Sequence, residues 1–167
     1  MHGMSVTDQF SFRQKPRGVF KWFLHMPVWL FRARLGFLLG RRIVMLEHRG
    51  RRSGLLRRTP LETVRRDGDR YVLCSGTGPK ADWYRNLHAA PAEALWVGAH
   101  RFPVTQRFLD DAEAAAAFAV YEGAHPKAAA RLTDMMGVSY DGTEAGRVAM
   151  VAQIPMVELT LQRSPSA

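Results

Sequence analysis

The residues best suited to chemistry lie in one stretch, Arg49-Gly-Arg-Arg-Ser-Gly-Leu-Leu-Arg-Arg-Thr-Pro-Leu61. Five of its first ten residues are arginine, punctuated by two glycines and a serine. Apolar and β-branched residues flank it on both sides, at Arg42–His48 and Pro60–Val64, so the spacing predicts two antiparallel strands joined by a tight loop at Gly50–Gly54. Glycine supplies the positive φ of such a turn, and a serine there bonds locally. Arg51, Arg52 and Arg57 are then gathered beside exposed backbone amides, an arrangement that binds phosphate or carboxylate. The competing reading is a solvated basic turn.

A second candidate is the glycine-rich stretch Ser75-Gly-Thr-Gly-Pro-Lys-Ala81. It formally matches a dinucleotide fingerprint, but Pro79 interrupts it, the helix after it is too short for a crossover and no parallel strand follows. Other chemistries find little support. His2, His25, His48, His88, His100 and His125 are scattered, and Cys74 is the single cysteine, so neither a metal cage nor an internal disulfide is expected. Cys74 sits among apolar neighbours and reads as packing. No lysine–serine phosphate loop and no Ser/His/Asp set appears. Binding groups without acid–base machinery suit a protein whose cofactor carries the reaction.

The elements that must position these groups follow from pattern. With 167 residues, 47% apolar and 23% charged, the chain can bury a core. Its net charge of +9 is uneven: residues 1–70 hold 16 Lys/Arg against 5 Asp/Glu, residues 71–167 hold 8 against 10. The basic half is therefore expected to face something anionic. Residues 1–40 read as a basic amphipathic helical extension, with Pro27 dividing it, and residues 41–163 as the folded domain. The longest uncharged run of the extension, Trp22 to Phe31, is ten residues, about half of a bilayer span. Residues 17–40 either pack their aromatic face on the domain or lie in a membrane interface, with Trp22 and Trp29 at headgroup depth. With no secretory signal evident, a cytoplasmic protein is expected, peripheral on the inner membrane face under the second reading.

Downstream, Asp67-Gly-Asp69 predicts a hairpin turn into the strand Tyr71–Cys74. Asp82 is expected to cap a short helix ending at Ala89. Ala94–Val97 and Arg101–Leu109 read as a hairpin around Gly98-Ala-His100, with Phe102, Val104 and Phe108 turned inward. Asp110 caps an alanine-rich helix, Pro126–Met136 is a second, Thr143 starts a third, and Pro155–Leu161 alternates as the last strand. The expectation is an α+β fold of six strands, mainly antiparallel, closed into a small barrel with peripheral helices.

Taken together, Gly50-Arg-Arg-Ser-Gly54, Arg57, Pro60-Leu61, Ser75-Gly-Thr-Gly-Pro-Lys-Ala-Asp-Trp-Tyr-Arg-Asn-Leu87, Pro91 and Ile154-Pro-Met-Val157 resemble the deazaflavin-dependent nitroreductase family over roughly residues 42–162. The resemblance implies a split β-barrel of the flavin-binding type and use of coenzyme F-420, a deazaflavin with a phosphate and an oligoglutamate tail. By position it implies that Arg52, Ser53 and Arg57, helped by Arg51, hold the anionic end and that Pro60 and Leu61 flank the ring. Ser75, Gly76, Thr77, Gly78 and Ala81 would pass backbone amides along the coenzyme, Lys80 would add positive potential, and Trp83 and Asn86 would shape the wall. The family's tyrosine group over the substrate has no counterpart at 143–153; Tyr121 and Tyr140 are the nearest candidates for a proton donor. The aromatic basic N-terminus is similar to membrane-associated members, which implies a lipophilic hydride acceptor such as a quinone, an enone or a nitro compound. The rival classes are a same-fold FMN- or haem-binding protein and a basic nucleic-acid-binding barrel. Nucleic acid is not the expected partner, because no strand face interleaves aromatic and basic residues.

Overall fold

The structure is a computed structural model that describes residues 42–137 and 139–163; the expected helical extension at 1–40 lies outside the described residues. Turn glycines set the first half of the fold. Gly54 and Gly68 take φ of 66° and 58° and close the two turns that bracket a long strand. Strands β1 (Ile43–Arg49), β2 (Leu56–Asp67) and β3 (Arg70–Cys74) result, each paired antiparallel with the next. β4 (Ala94–Val97), β5 (His100–Phe102), β6 (Val104–Phe108) and β7 (Met156–Leu161) complete one antiparallel sheet in the order β5-β4-β1-β2-β3-β7-β6.

The single strand expected from Arg101 to Leu109 is in fact two. Pro103 has no amide hydrogen for a ladder, and the chain leaves one sheet edge as β5 and re-enters at the other as β6. Edges joined by one residue must lie close together, so the sheet curls into a nearly closed barrel. Side chains confirm the curl. Val44 and Leu46 of β1, Tyr71 and Leu73 of β3, Leu95 of β4 and Val157, Leu159 and Leu161 of β7 share one buried cluster. Phe102 and Val104, from the two edges, pack against the same cluster.

Helix α1 (Asp82–Ala89) follows a 3-10 turn at Gly78–Lys80 and buries Trp83 and Leu87 in that inner cluster. Its N-cap is Ala81; Asp82, expected as the cap, lies inside the first turn and pairs with Arg51 instead. Helices α2 (Asp111–Ala124), α3 (Pro126–Met136) and α4 (Glu144–Val151) cover the outside of β2, β3 and β7. Asp110 and Glu113 form the reciprocal capping box that starts α2. Alternation along β3 serves both layers: Tyr71 and Leu73 point inward, Val72 and Cys74 under the helices. Burial pushes the Cys74 thiol up to about 12, which leaves it an inert packing group.

Across β5, β4, β1 and β2 a buried carboxylate ties four strands together. Glu47 accepts from Arg58 Nε at 2.8 Å, Trp96 Nε1 at 2.8 Å and Arg101 Nε at 2.7 Å. The Arg58 guanidinium also lies over the Trp96 ring, 5.6 Å from its centroid. Burial alone would raise the Glu47 pKa, but these hydrogen bonds outweigh it and hold the carboxyl below its ordinary value. Removing one member of such a set strands the others. Glu47→Ala is expected to cost about 3 kcal/mol in denaturant unfolding at neutral pH. A lowered native pKa contributes stability above the unfolded value that is lost as pH falls through the folded one, so the gap between the two proteins should shrink below about pH 4.

Candidate functional site

The β1–β2 loop carries out what its glycines allow. The Gly50 carbonyl accepts from Gly54 N at 2.7 Å and Ser53 N at 3.2 Å, and Gly50 N donates to Leu55 O at 2.9 Å. Gly50 is also a contact point. A Cβ there would lie 2.7 Å from Ser53 Oγ and 2.8 Å from Arg57 Nε, so hydroxyl and guanidinium converge on the space that glycine leaves open.

The five arginines of the loop divide by partner. Arg49 pairs with Glu93 at 2.6 Å, Arg51 with Asp82 at 2.9 Å and Arg58 with Glu47 at 2.8 Å. Arg52 and Arg57, both exposed, have no carboxylate partner among the described residues. The sequence does not distinguish these two groups, because the pairing carboxylates come from elsewhere in the chain. Arg51 is thus a structural cation. Its hydrogen bond is the main reason that Asp82 stays below the ordinary carboxylate range.

A polar relay fixes the loop from beneath. Asn86 Oδ1 accepts from Arg51 N and Arg51 Nη1, both at 3.0 Å. Asn86 Nδ2 lies 3.1 Å from His48 Nδ1, and His48 Nε2 lies 2.9 Å from Thr59 Oγ1. Asn86 and His48 are both 2% exposed. The sequence reading named Asn86 as wall and missed His48 and Thr59. A signal was present: His48 occupies the inward register of Val44 and Leu46, where an apolar residue is expected and a polar one needs a partner.

The glycine-rich stretch runs into the same place through Asp82. Ser75 is fully buried, and its hydroxyl donates to Gly78 O at 2.6 Å, which shapes the loop from within. Gly78 has φ 73°, and a Cβ there would come 3.3 Å from Gln153 O. The amides of Ser75, Gly78 and Ala81 are satisfied within the fold; those of Gly76 and Thr77 have no partner among the described residues. Lys80 is exposed, while Ala81 and Trp83 are buried in the barrel cluster. Pro60 and Leu61 stand on opposite faces of β2: Leu61 packs on the inner cluster, and Pro60 is paired with Met45 across the ladder.

Tyr121 and Tyr140 are held elsewhere. Tyr121 Oη donates to Glu62 at 2.8 Å and accepts from Arg42 at 3.1 Å. Burial, with Glu62 acting the same way, pushes it up to about 12. Tyr140 donates to Glu122 at 2.9 Å, and burial followed by Glu122 raises its pKa too. Both phenols hold the helical layer together, so neither is a free proton donor. No group of three or more His, Cys, Asp or Glu forms a metal cage among the described residues.

The donor set suits a polyanion: two forked guanidiniums without carboxylates, a hydroxyl directed at the same space, two free amides and an exposed lysine. Solved structures similar to this chain include one titled "Structure of F420-H2 Dependent Reductase (FDR-A)", with 26% identity, 71% of this chain and 94% of that chain covered, and a TM-score of 0.49. Another, titled as a domain-swapped dimer, has 24% identity, 80% and 98% coverage and a TM-score of 0.49. A third, from Clostridium acetobutylicum, is titled as a general stress protein 26 relative of the pyridoxinephosphate oxidase family; it has 12% identity, 79% and 83% coverage and a TM-score of 0.43. A search of curated proteins finds no match. The family profile described as F420H(2)-dependent quinone reductase matches residues 30–138, more than half of the chain. The protein belongs to that family and is an oxidoreductase dependent on reduced coenzyme F-420.

Proposed function

We propose that the Gly50–Arg57 loop grips the phosphate and oligoglutamate end of the coenzyme and that the acceptor is a lipophilic quinone. The observation that carries the first part is the division of the arginines, which leaves Arg52 and Arg57, on either side of Ser53, without a carboxylate partner among the described residues. In this reading the Gly76 and Thr77 amides, Lys80 and the first turn of α1 face the rest of the coenzyme's polar chain. Leu61, Ala81 and Trp83 form the apolar wall. When bound, the reduced deazaflavin supplies a hydride. The protein's part is orientation and exclusion of water. With both candidate phenols engaged by carboxylates, the accompanying proton is assigned to solvent.

The acceptor class is supported by the family description and by the loop surface. Leu55 and Leu56 are 65% and 48% exposed, and they sit directly between Arg52-Ser53 and Arg57-Arg58. Exposed leucines flanked in sequence by arginines suit an anionic bilayer from which a lipophilic quinone would come. No helix among the described residues is long and apolar enough to cross a membrane. The contact proposed is peripheral, made by this loop and by residues 17–40, whose acid-free context from Asp8 to Glu47 carries eight Lys/Arg.

Three measurements test these statements. Arg52→Ala and Arg57→Ala should each weaken coenzyme binding about 10–100-fold by fluorescence quenching, because each removes charge-assisted hydrogen bonds worth about 1.5–3 kcal/mol. Turnover at saturating coenzyme should change far less, since the anionic tail is held alike in ground and transition states. Gly50→Ala should likewise weaken the coenzyme about tenfold while changing Tm little, because its methyl displaces the Ser53 hydroxyl and the exposed Arg57 side chain at Nε rather than backbone. Sedimentation with anionic liposomes should show binding that weakens with salt but persists. It should be reduced by Leu55→Ser/Leu56→Ser and abolished when residues 1–40 are also removed. Lipid-independent behaviour of the full chain would refute the membrane contact and leave the coenzyme assignment intact.

A further inference from the structure

The relay under the arginine loop has only one consistent set of proton positions. Arg51 meets Asn86 Oδ1 with a backbone N–H and a guanidinium N–H, and neither group can accept. The oxygen of the Asn86 amide must therefore point at Arg51, and its nitrogen must point at His48 Nδ1, 3.1 Å away. That nitrogen can only donate, so His48 Nδ1 carries no proton. The remaining ring proton is on Nε2, 2.9 Å from Thr59 Oγ1. The relay thus requires a neutral imidazole in one tautomer.

A second proton on His48 would set Nδ1–H against the Asn86 amide hydrogens. Rotating the amide relieves that clash only by turning its NH2 toward the two donors of Arg51. Either way the loop loses the contacts that seat Arg51, the residue directly before Arg52 and Ser53. We propose that His48 is a positioning residue for coenzyme binding, whose neutral state holds the arginine loop through Asn86 and whose protonation releases it. This rests on the reading that the loop grips the coenzyme's anionic end.

The charges around the ring belong to three elements: Arg57 on β2, Asp82 on α1 and Arg51 in the loop. Burial is the largest influence and holds the imidazole below its ordinary value, with Arg57 acting the same way and Asp82 and a backbone contact at Arg49 opposing. A buried histidine with a lowered native pKa favours the folded state above the ordinary value. Part of that is lost as pH falls from about 6.5 toward the native pKa, because only the unfolded chain takes up the proton there. Loop release begins when the native ring itself titrates.

The test needs the full chain and the coenzyme, with dissociation constants measured from about pH 8 down to about pH 5 and the His48 ring followed by NMR. Wild type should bind about tenfold more weakly on the acid side of the His48 titration, as expected for a lost buried hydrogen bond. By linkage, saturating coenzyme should lower the His48 pKa by about one unit. The field of a bound polyanion alone would raise it, so the sign is diagnostic. In Asn86→Asp the carboxylate accepts from Arg51 and from an imidazolium alike, so the acid-side loss should vanish and the ring should titrate higher. In His48→Gln the acid inflection should also disappear. The coenzyme's own ionisations are common to all proteins compared and cancel in the ratios. A His48 pKa raised or unmoved by coenzyme would overturn the proposal. So would a wild-type pH profile that tracks both variants. If Arg52→Ala binds coenzyme as wild type does, the loop reading itself falls. If Arg52→Ala is weakened while the profiles coincide, only the role of His48 falls.

Discussion

β5 and β6 follow one another with only Pro103 between them, yet they stand at opposite edges of a seven-stranded sheet. That connection cannot be made by an open sheet, so the strands wrap around one core and the two edges approach. Once the barrel exists, α1 packs on its inner cluster by burying Trp83 and Leu87. The N-terminus of α1 then stands beside the turn between β1 and β2, and the Arg51–Asp82 and Arg51–Asn86 contacts join two motifs that lie about thirty residues apart in sequence. The candidate site is a consequence of closure.

Closure also decides which arginines remain available. Glu47, Asp82 and Glu93 reach the loop from β1, α1 and the segment before β4, and each takes one guanidinium. Glu47 is 1% exposed, so its desolvation is large and must be met by charged donors; Arg58, Arg101 and Trp96 supply them. Arg58 is therefore committed to the fold. Asp82 is exposed, and its pairing with Arg51 owes more to the shared anchor at Asn86 than to Coulomb attraction in water. Arg52 and Arg57 form no salt bridge among the described residues, and Arg57 reaches Asp82 only through the field between them.

Much of this architecture was legible because it is local. Gly54 and Gly68 announce their turns, Asp110 announces a helix cap, and the alternation of Val157, Leu159 and Leu161 announces a half-buried strand. The misreadings concern partners distant in sequence. Asp82 looks like a cap until Arg51 is beside it, and Arg101–Leu109 looks like one strand until its halves prove to pair with β4 and β7. Tyr121 and Tyr140 look available until Glu62 and Glu122 take their hydroxyls. Asn86 was placed near the site, but its contacts are with Arg51 and His48; nothing in the helix pattern says which side chain a buried amide will meet.

Why a positively charged loop should rest on a neutral histidine follows from the same geometry. Two cations, Arg51 and Arg57, already press on that end of the barrel, and an imidazolium among them would add repulsion without solvent to screen it. An apolar residue in place of His48 would keep the packing but leave the Asn86 nitrogen without an acceptor, and a buried unmet donor costs about 1–3 kcal/mol. A carboxylate there would pull Arg51 or Arg57 inward and close the space over Gly50. Neutral imidazole accepts on one side and donates on the other, so it satisfies Asn86 and Thr59 together without adding charge. The arrangement adds no charge beneath the loop, whose Arg52 and Arg57 form no salt bridge among the described residues.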